Sequence, residues 1–560
     1  MTDTAPVDLL VEGTLVDVNT GTLEDRAIAI DDGEIVGFGA RPATSRIETG
    51  YVTPGLIDAH THIEASMVTI PQYGEAVVPR GVTAAVHDPY EIANVLGPDG
   101  VVEFCADADR TPLKALLTVP SSVPASTLQD TGGVVDSEAV DDLLDLDSAI
   151  ALGEVMDLDG VLDGDEEIHR KIASARERGL PVDGHVPGVT GPDLHRLARV
   201  LDTDHESVDL SEGRAKADAG FHVYLREGST SRNLTALVDL VDAVDSRRLA
   251  LCTDERNAVD LFDSGAINTV VRRAMELGVD PVTAVQMATL NVAEVYDLPF
   301  GRIEPGAPAD MVLLSDLESW DVDHVIVDGV VDPATDTPPA TESALPTDTV
   351  TFDTVTPADL AIDHSGPGPV TVRVASVVGD FRTERLTATV PVESKSGESV
   401  LCGTLAEDIL PAAVIERHGG PGNVGRGFVH NLGLDRGAVG TTVAHDAHNC
   451  VVAGASHESM ARVANRLRET GGGLCVYDPE TDDYTTLALP IAGLLADGPL
   501  RETAAAFEAV SNAAQDIGLS VPGGVMELTY LALEVIPTYR LTNNGLVDVE
   551  TGSYVDVVVE

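Results

Sequence analysis

Two histidines placed two positions apart are the first residues in this sequence whose types and spacing could do chemistry. His60 and His62 end the apolar stretch Pro54-Gly-Leu-Ile-Asp-Ala-His-Thr-His. In a β-strand, residues i and i+2 point to the same side, so both imidazoles would face one point. Imidazole nitrogens bind borderline divalent cations such as Zn²⁺, Mn²⁺ and Fe²⁺. The pair therefore predicts one part of a metal site at the end of a strand.

Further apolar segments also end in a histidine or a carboxylate. The side chains at these ends are Glu154, His185, His205 with its neighbour Glu206, and Asp254. Each alone could be a surface acid or a histidine satisfied by local hydrogen bonds. A fold that gathers all these ends would bring histidines and carboxylates to one point and create a metal site.

The region between Val52 and Tyr296 alternates apolar strand candidates with helical segments. The eight strand candidates end near Asp58, Val86, Val119, Gly153, Asp183, Asp204, Leu225 and Cys252. About 245 residues with eight such repeats is the size of a (β/α)8, or TIM, barrel. In that fold the active site lies at the carboxyl ends of the strands, which is where the candidate ligands stand.

The barrel region is flanked by two strand-rich segments that could pair with each other. We therefore predict a small β-domain from residues 1–50 and 300–332, interrupted by a barrel of residues 51–299. Residues 333–348 are rich in proline and threonine, which is typical of a linker. Residues 349–560 have enough apolar content for a C-terminal α+β domain of their own. The predicted fold class is α/β, a TIM barrel with a small β-domain and a C-terminal α+β domain.

The charge excludes several kinds of partner. The 93 acidic residues outnumber the 34 basic ones and give a formal net charge of −59. Such a field repels nucleic acid and anionic membranes. Because the acids are spread along the whole chain, they indicate the solvated surface of a protein from a salt-loving (halophilic) organism rather than a cation-binding surface.

Three further patterns favour a cytoplasmic protein. The N-terminus lacks a basic start followed by an apolar stretch, so no secretory signal is expected. No apolar run reaches about 18 residues, so no transmembrane helix is expected. The five cysteines are scattered and form no CxxC pair, which predicts neither a disulfide framework nor a zinc knuckle.

Longer motifs resemble the adenine deaminase family of the metal-dependent amidohydrolase superfamily. The segment from Pro54 to Met67 is similar to that family's opening motif, and His87-Asp-Pro-Tyr-Glu-Ile-Ala-Asn departs from its usual form at Tyr90, where histidine is usual. Glu255 is a second departure, since the family has aspartate there. The resemblance runs from about residue 8 to the end of the chain. Its other motifs are Gly184-His-Val-Pro-Gly, Thr203-Asp-His-Glu, Arg226-Glu-Gly-Ser-Thr and Gly437-Ala-Val-Gly-Thr-Thr-Val-Ala-His-Asp-Ala-His-Asn.

The resemblance implies two divalent cations, Mn²⁺ or alternatively Fe²⁺, that share a hydroxide. The implied ligand sets are His60, His62 and Asp254 for one cation and His185 and His205 for the other, with Glu154 bridging both. Many members of the superfamily bridge their metals with a carboxylated lysine instead. The four lysines of this chain stand away from the strand ends, which leaves Glu154 for that role; they are Lys114, Lys171, Lys216 and Lys395.

The implied reaction is the hydrolytic deamination of adenine to hypoxanthine and ammonia, a step of purine salvage. The hydroxide would attack C6, and Asp254 would act as general base and then as general acid towards the leaving amine. A donor to N1 is also needed, and the sequence leaves Glu91 and Glu206 open for this role, although either could be a supporting or surface acid. The substrate would be free adenine, and the assembly a homo-oligomer, specifically a dimer.

Other polar residues in the family motifs could line the substrate pocket or be structural. The candidates at strand ends are His87, Asp88, Arg226, Glu227 and Ser229. In the last domain, His445, Asp446 and His448 could cap the barrel mouth, bind a further metal, or merely stabilise that domain.

Two other functions remain open from the sequence. A cyclic-amide hydrolase or a deacetylase of the same superfamily would share the metal site and differ in its pocket. A catalytically silent scaffold would keep the barrel and lose a metal ligand, whereas all six predicted ligands are present here.

Overall fold

The computed structural model describes residues 6–335, 343–366, 368–379, 381–395 and 398–559. Residues 336–342 of the predicted linker therefore lie outside the described residues. The chain divides into two compact units. Unit 1 comprises Met1–Pro89, Phe104–Ser122 and Asp136–Pro338, and unit 2 comprises Tyr90–Glu103, Val123–Val135 and Pro339–Glu560. The four-part domain division drawn from the sequence stays a prediction.

Unit 1 opens with four strands that belong to a seven-stranded sheet. They are β1 (Val7–Asp17), β2 (Thr22–Asp31), β3 (Glu34–Phe38) and β4 (Ala43–Pro54). β1 pairs antiparallel with β2 and parallel with β4. Leu9, Val11, Ile28 and Ile30 are buried in the core of this sheet, which removes their apolar surface from water.

Eight strands then form the barrel. They are β5 (Leu56–His62), β6 (Val82–His87), β7 (Lys114–Val119), β8 (Ala149–Val155), β9 (Val182–Gly184), β10 (Thr203–Asp204), β11 (His222–Arg226) and β12 (Leu249–Cys252). β5 to β9 pair in parallel in chain order, as do β10 to β12. The short strand β13 (Asp254–Glu255) pairs in parallel with β5, which brings the series back to its first strand. Every residue of β5 and β6 is buried, as expected for parallel strands covered on both sides.

Helices connect these strands. They are α1 (Ile70–Val77), α2 (Tyr90–Ala106), α3 (Ser137–Leu143), α4 (Leu158–Asp163), α5 (Glu166–Glu177), α6 (Gly191–Leu197), α7 (Leu210–Ala219), α8 (Leu234–Leu237), α9 (Leu240–Ala243), α10 (Ala258–Ser264), α11 (Ile267–Glu276), α12 (Pro281–Met287) and α13 (Leu290–Val295). Several begin with an aspartate whose side chain accepts backbone N–H groups of the first turn, as Asp136, Asp165 and Asp209 do. Part of the acidic composition therefore serves to start helices.

The chain then returns to the first sheet. β14 (Met311–Asp316), β15 (Asp321–Val327) and β16 (Val330–Val331) join it through antiparallel pairing of β14 with β4. The sheet is therefore built from segments on both sides of the barrel, as predicted.

Unit 2 contains residues Tyr90–Glu103 of α2 and, after residue 343, an eight-stranded sheet and two further long helices. Its elements in chain order are β17 (Val370–Gly379), β18 (Arg382–Val390), β19 (Val392–Lys395), β20 (Glu398–Leu401), β21 (Ile409–Ile415), β22 (Val424–His430), β23 (Ala438–Thr441), β24 (Cys450–Gly454), α14 (His457–Glu469), β25 (Gly473–Asp478), β26 (Asp483–Ala488), α15 (Leu500–Asp516), β27 (Tyr539–Thr542), β28 (Gly545–Asp548) and β29 (Ser553–Tyr554). The large sheet has the order β18-β17-β22-β21-β24-β23-β25-β26. Met460, Val463 and Leu467 of α14 pack in one core with Val452 and Cys475 of the sheet. The predicted fold class is confirmed.

The segment between β7 and α3 is part of unit 2. Asp130 donates its backbone N–H to Asn543 Oδ1 at 3.0 Å, and Asn449 Nδ2 donates to Asp130 O at 2.8 Å.

Among the described residues, no helix combines the length and the apolarity that a bilayer crossing requires.

Candidate metal centre

The carboxyl ends of the barrel strands bring the predicted ligands to one place. Two of them lie in β5, one in β8, one in β13, and two directly follow β9 and β10. Three overlapping groups form, within each of which the candidate ligand atoms lie within 4.8 Å of one another. The groups are His60, His62 and Asp254; His60, Glu154 and His205; and His185, His205 and Glu206. All six predicted ligands therefore lie together, with Glu206 beside them.

Glu154 occupies the middle of this centre. Its Oε1 lies 3.2 Å from His62 Nε2. Its Oε2 lies 2.9 Å from His185 Nδ1 and 3.3 Å from His205 Nε2. One carboxylate oxygen thus faces the histidine of β5 and the other faces the histidines that follow β9 and β10, which is the placement that a carboxylate shared by two cations would need.

Asp254 faces His60 and His62 and is held by an arginine. Its Oδ1 lies 3.4 Å from His60 Nε2 and 3.5 Å from His62 Nε2. Its Oδ2 accepts a hydrogen bond from Arg226 Nη1 at 2.6 Å, and the same nitrogen also donates to Glu206 Oε1. Asp254 has a φ of 59°, in the left-handed region that residues other than glycine seldom adopt. Such a conformation, imposed by the surroundings, is typical of functional sites.

The three carboxylates of the centre stay ionised despite their burial. Burial raises the pKa of Glu154, but hydrogen bonds from the three surrounding histidines outweigh it and hold the pKa well below its usual value. Burial also raises the pKa of Asp254, but the charge of Arg226 and the nearby imidazole of His60 hold it well below its usual value. For Glu206, burial is outweighed by the same arginine, and the pKa falls to about 2.

The histidines differ in their protonation. Burial, helped by the charge of His205, lowers the pKa of His60 to about 4, so this imidazole is neutral at pH 7. Burial also lowers the pKa of His185, but Glu206 and Glu154 outweigh it and raise the pKa to about 9. Since a histidine binds a cation only in its neutral form, loading the centre would release a proton from His185.

The residues present fit divalent cations. His60 Nε2 is buried and makes no hydrogen bond with any described residue. A buried nitrogen without a partner is costly, and a cation would satisfy its lone pair. The remaining donors are imidazole nitrogens and carboxylate oxygens, the set that suits Mn²⁺, Fe²⁺ or Zn²⁺.

Asp88, which the sequence left open as a pocket or a structural residue, contacts two of the predicted ligands. Its backbone carbonyl accepts a hydrogen bond from His62 Nδ1 at 2.9 Å, which orients the ring so that Nε2 of His62 faces Glu154. Its Oδ2 accepts the backbone N–H of Glu154 at 3.1 Å. The adjacent His87 is fully buried, and neither of its ring nitrogens has a hydrogen-bond partner among the described residues.

Glu227 and Ser229 do not join the cluster of ligands. Glu227 lines a separate cavity of about 220 Å³ together with Arg232 and Arg256. Ser229 Oγ accepts the N–H of Asn257 at 2.9 Å, and its own N–H donates to Glu255 O at 2.8 Å. These contacts tie together the loops that follow β11 and β13.

The candidates in unit 2 are described within that unit. Glu91 is buried in the first turn of α2. The ring of His445 stacks on Tyr530 with centroids 5.0 Å apart and lies 5.3 Å from the ring of His448. His448 Nδ1 accepts the N–H of Ala444 at 3.1 Å. The ligand groups found among the described residues include neither His445, Asp446 nor His448, and the proposed roles of these residues stay predictions.

Sequence reasoning missed residues that support the centre from behind. Asn233 Nδ2 donates to His205 O at 3.0 Å and to Ser207 O at 2.9 Å. Asp204 and Lys216 form a buried ion pair at 2.8 Å directly beside His205. The signal available in the sequence was the acidic residue before His205 and a lysine on the apolar side of the following helix, but neither pattern identifies the partner.

Comparison with known proteins places the whole chain in one family. Residues 51–331 match the amidohydrolase family, and residues 381–553 match the adenine deaminase C-terminal domain. An adenine deaminase of Nitratidesulfovibrio vulgaris is 39% identical over 576 residues, which cover 99% of this chain and 97% of that protein.

Two further relatives show the same extent of similarity. An adenine deaminase of Desulfatibacillum aliphaticivorans is 35% identical and covers 99% of this chain and 97% of its own. One from Methanothermobacter thermautotrophicus is 36% identical, over 97% of this chain and 98% of its own. The metal-ligand motifs, the barrel and the C-terminal domain thus lie in one continuous match, and this chain belongs to the adenine deaminase family.

Proposed function

We propose that this protein is a hydrolase that acts on a carbon–nitrogen bond and converts adenine and water to hypoxanthine and ammonia. One observation carries the proposal: Glu154 lies between His62 on one side and His185 and His205 on the other, at the rim of a barrel. This is a two-sided ligand set in a chain that matches adenine deaminases from end to end.

The centre would hold two divalent cations, for which we propose Mn²⁺, with Fe²⁺ as the alternative. His60, His62 and Asp254 would hold one, His185 and His205 the other, and Glu154 would contact both. Bound cations of this kind lower the pKa of water towards about 7 and so supply a nucleophile at neutral pH.

Asp254 would move the proton. Its Oδ1 faces the ligand cluster, and its Oδ2 is fixed by Arg226. We propose that Asp254 accepts the proton of the attacking water and then delivers it to the amino group that leaves from C6 of adenine. Arg226 would keep the carboxylate oriented during both transfers.

The purine ring also needs a contact at N1, because addition at C6 interrupts its aromaticity. Glu206 lies beside His185 and His205 and is our first candidate for this contact, for which its carboxylate would first take up one of the two protons of the attacking water. Glu91 remains the second candidate. Comparing Glu206→Gln with Glu91→Gln would separate the two candidates. Only substitution of the residue that contacts N1 should lower kcat more than it raises KM.

We further propose the setting in which the enzyme acts. The net charge of −59 supports free adenine as the substrate, without nucleic-acid or membrane partners, and a halophilic origin. We also propose that the enzyme is a cytoplasmic homodimer that serves purine salvage. Its chain would divide into a split β-domain, a barrel, a linker and a C-terminal domain.

The test is a turnover assay with the purified full-length protein in high salt with added Mn²⁺. High salt screens the acidic surface, so that repulsion does not unfold the chain. We expect ammonia and hypoxanthine from adenine, and no product from hydantoin or N-acetylglucosamine 6-phosphate. Glu154→Gln is the matched control. Release of product from either of the other substrates, with adenine left intact, would overturn the proposal.

A further inference from the structure

A lysine that is not a metal ligand lies fully buried behind two of the ligands. Lys216 belongs to α7, and its side chain has no exposed surface. Its Nζ lies 2.8 Å from Asp204 Oδ2 and 2.9 Å from Glu212 Oε1. Both carboxylates are buried as well, so one ammonium group balances two carboxylates away from water.

The two carboxylates hold the loop that follows His185. Asp204 Oδ1 accepts the backbone N–H of Val186 at 2.9 Å. Glu212 Oε1 accepts the backbone N–H of Gly188 at 2.8 Å. The residue directly after His185, and the one two positions further on, are therefore fixed by the partners of Lys216.

The same carboxylates hold the loop that follows His205. Asp204 Oδ2 accepts the backbone N–H of Glu206 at 3.2 Å, and Glu212 Oε2 accepts that of Val208 at 3.1 Å. Each carboxylate therefore takes one backbone N–H from each loop. Both loops therefore depend on where the side chains of Asp204 and Glu212 are held.

We propose that Lys216 is a positioning residue for the metal centre. Its ammonium group lies between two neighbouring buried carboxylates and holds them in place, and these fix the backbone beside His185 and His205. Without it, the two buried side chains would lose the cation that they share and would move from these positions. The inference rests on the metal centre of the proposed function, but it does not depend on which substrate is used.

The chain supplies a matched control in Lys114. This lysine also contacts two carboxylates, with Nζ 2.5 Å from Asp310 Oδ2 and 2.8 Å from Asp328 Oδ1. It is the first residue of β7, so it lies at the end of the strand opposite to the rim that carries the ligands. Loss of this contact should affect stability without affecting the ligands.

The experiment is a calorimetric titration of Mn²⁺ into the metal-free full-length protein in high salt. For Lys216→Met we expect the affinity for the cation held by His185 and His205 to fall about 10- to 100-fold, which is the range for residues that orient metal ligands. For Lys114→Met we expect less than about a twofold change in Mn²⁺ affinity, although both variants lose stability. The proposal would be overturned if Lys216→Met bound Mn²⁺ as tightly as the unaltered protein does. It would also be overturned if both variants lost Mn²⁺ affinity to the same extent.

A second variant decides the matter if Lys216→Met does not fold. Glu212→Gln keeps the shape of the side chain and leaves the pair of Lys216 with Asp204 in place, but removes the charge that holds Gly188 and Val208. We expect its Mn²⁺ affinity to fall by at least about threefold, below the effect of losing the lysine. Unchanged affinity would contradict the inference. The readout here is metal binding, so a failure to deaminate adenine would not change this result. Unchanged Mn²⁺ affinity in the variants would likewise leave the proposed deaminase activity untouched.

Discussion

Two pairs of buried histidines that stand close together in the sequence are built differently. His60 and His62 lie on one strand, face the carboxylates Glu154 and Asp254, and share their surroundings with histidines from other strands. His445 and His448 lie in a loop of unit 2, where one stacks on Tyr530 and the other accepts a backbone N–H. Short spacing between histidines is therefore not enough to define a metal site, since what matters is which other donors the fold brings to them.

The surrounding cations differ in the same way. Arg226, beside the first pair, donates to two carboxylates and keeps them ionised. Arg417, in the unit of the second pair, is fully buried and donates to the backbone carbonyls of His448 and Ala492. Burial lowers the pKa of Arg417 to about 10. The first arginine orients reactive groups, whereas the second holds a loop in shape.

The largest expected effect is on the first pair. His60→Ala removes a nitrogen that takes part in two of the three ligand groups. We expect turnover of adenine to fall by more than about 100-fold, above the 10- to 100-fold range of supporting residues, with lower Mn²⁺ content. Metal analysis and a turnover assay on the same sample test this. If the variant kept its full metal content, the distinction between the pair His60 and His62 and the pair His445 and His448 would be lost.

The second prediction concerns the charges of the centre. Arg226→Met leaves Glu206 and Asp254 buried without their cation, which typically costs about 3–5 kcal/mol. We expect this loss in the free energy of unfolding of the metal-free protein. The control is Arg273→Met, since Arg273 pairs with Glu276 on the exposed side of α11, and such pairs contribute about 0–1 kcal/mol. Similar losses in the two variants would contradict this role of Arg226.

The third prediction is a pH dependence that arises in unit 2. Burial lowers the pKa of His418 from its usual 6.5 to about 3, and the charge of Arg417 acts in the same direction. The unfolded chain therefore takes up the proton first, so stability is complete above pH 6.5 and falls as the pH drops from 6.5 towards 3.

Relative to His418→Gln, the unaltered protein should lose about 2 kcal/mol of unfolding free energy between pH 6.5 and 5. Denaturant unfolding of both proteins at pH 7 and at pH 5 measures this difference. Parallel loss in the two proteins would show that His418 is not the group that titrates.

The smallest expected effect is on the second pair. His448→Ala should keep the Mn²⁺ content of the unaltered protein and lose only about 1 kcal/mol of stability, the usual size of a single substitution. His448 has a φ of 55°, so His448→Gly should relieve part of that loss. Loss of a metal equivalent from the alanine variant would instead make this pair a further metal site.

The sequence predicted the fold well because its signals are local. The eight strand ends were readable from apolar runs, and β5 with its two histidines follows directly from period-two spacing. The six predicted ligands could be picked out because each stands at or just after the end of such a run, and the structure brings them together. The seven-stranded sheet was predictable in outline because segments on both sides of the barrel carry strand patterns.

Other features depend on contacts between distant residues and were not readable. Asp88 could be a pocket or a structural residue from the sequence alone, and the acceptance of the Glu154 N–H by its carboxylate, 66 residues back along the chain, was not predictable. The position of Lys216 outside the strand ends showed only that it does not bridge the cations, and its burial between Asp204 and Glu212 was not readable. The assignment of Val123–Val135 to unit 2 had no local signal either. In each case the partner is fixed by the fold and not by neighbours in the sequence.

The most direct test of the account is an anomalous diffraction map, recorded at the manganese edge from crystals of the full-length protein grown with Mn²⁺. The account predicts two peaks that share Glu154, one contacted by His60, His62 and Asp254 and the other by His185 and His205. A map without peaks among these side chains, or with its only peaks elsewhere in the protein, would contradict it.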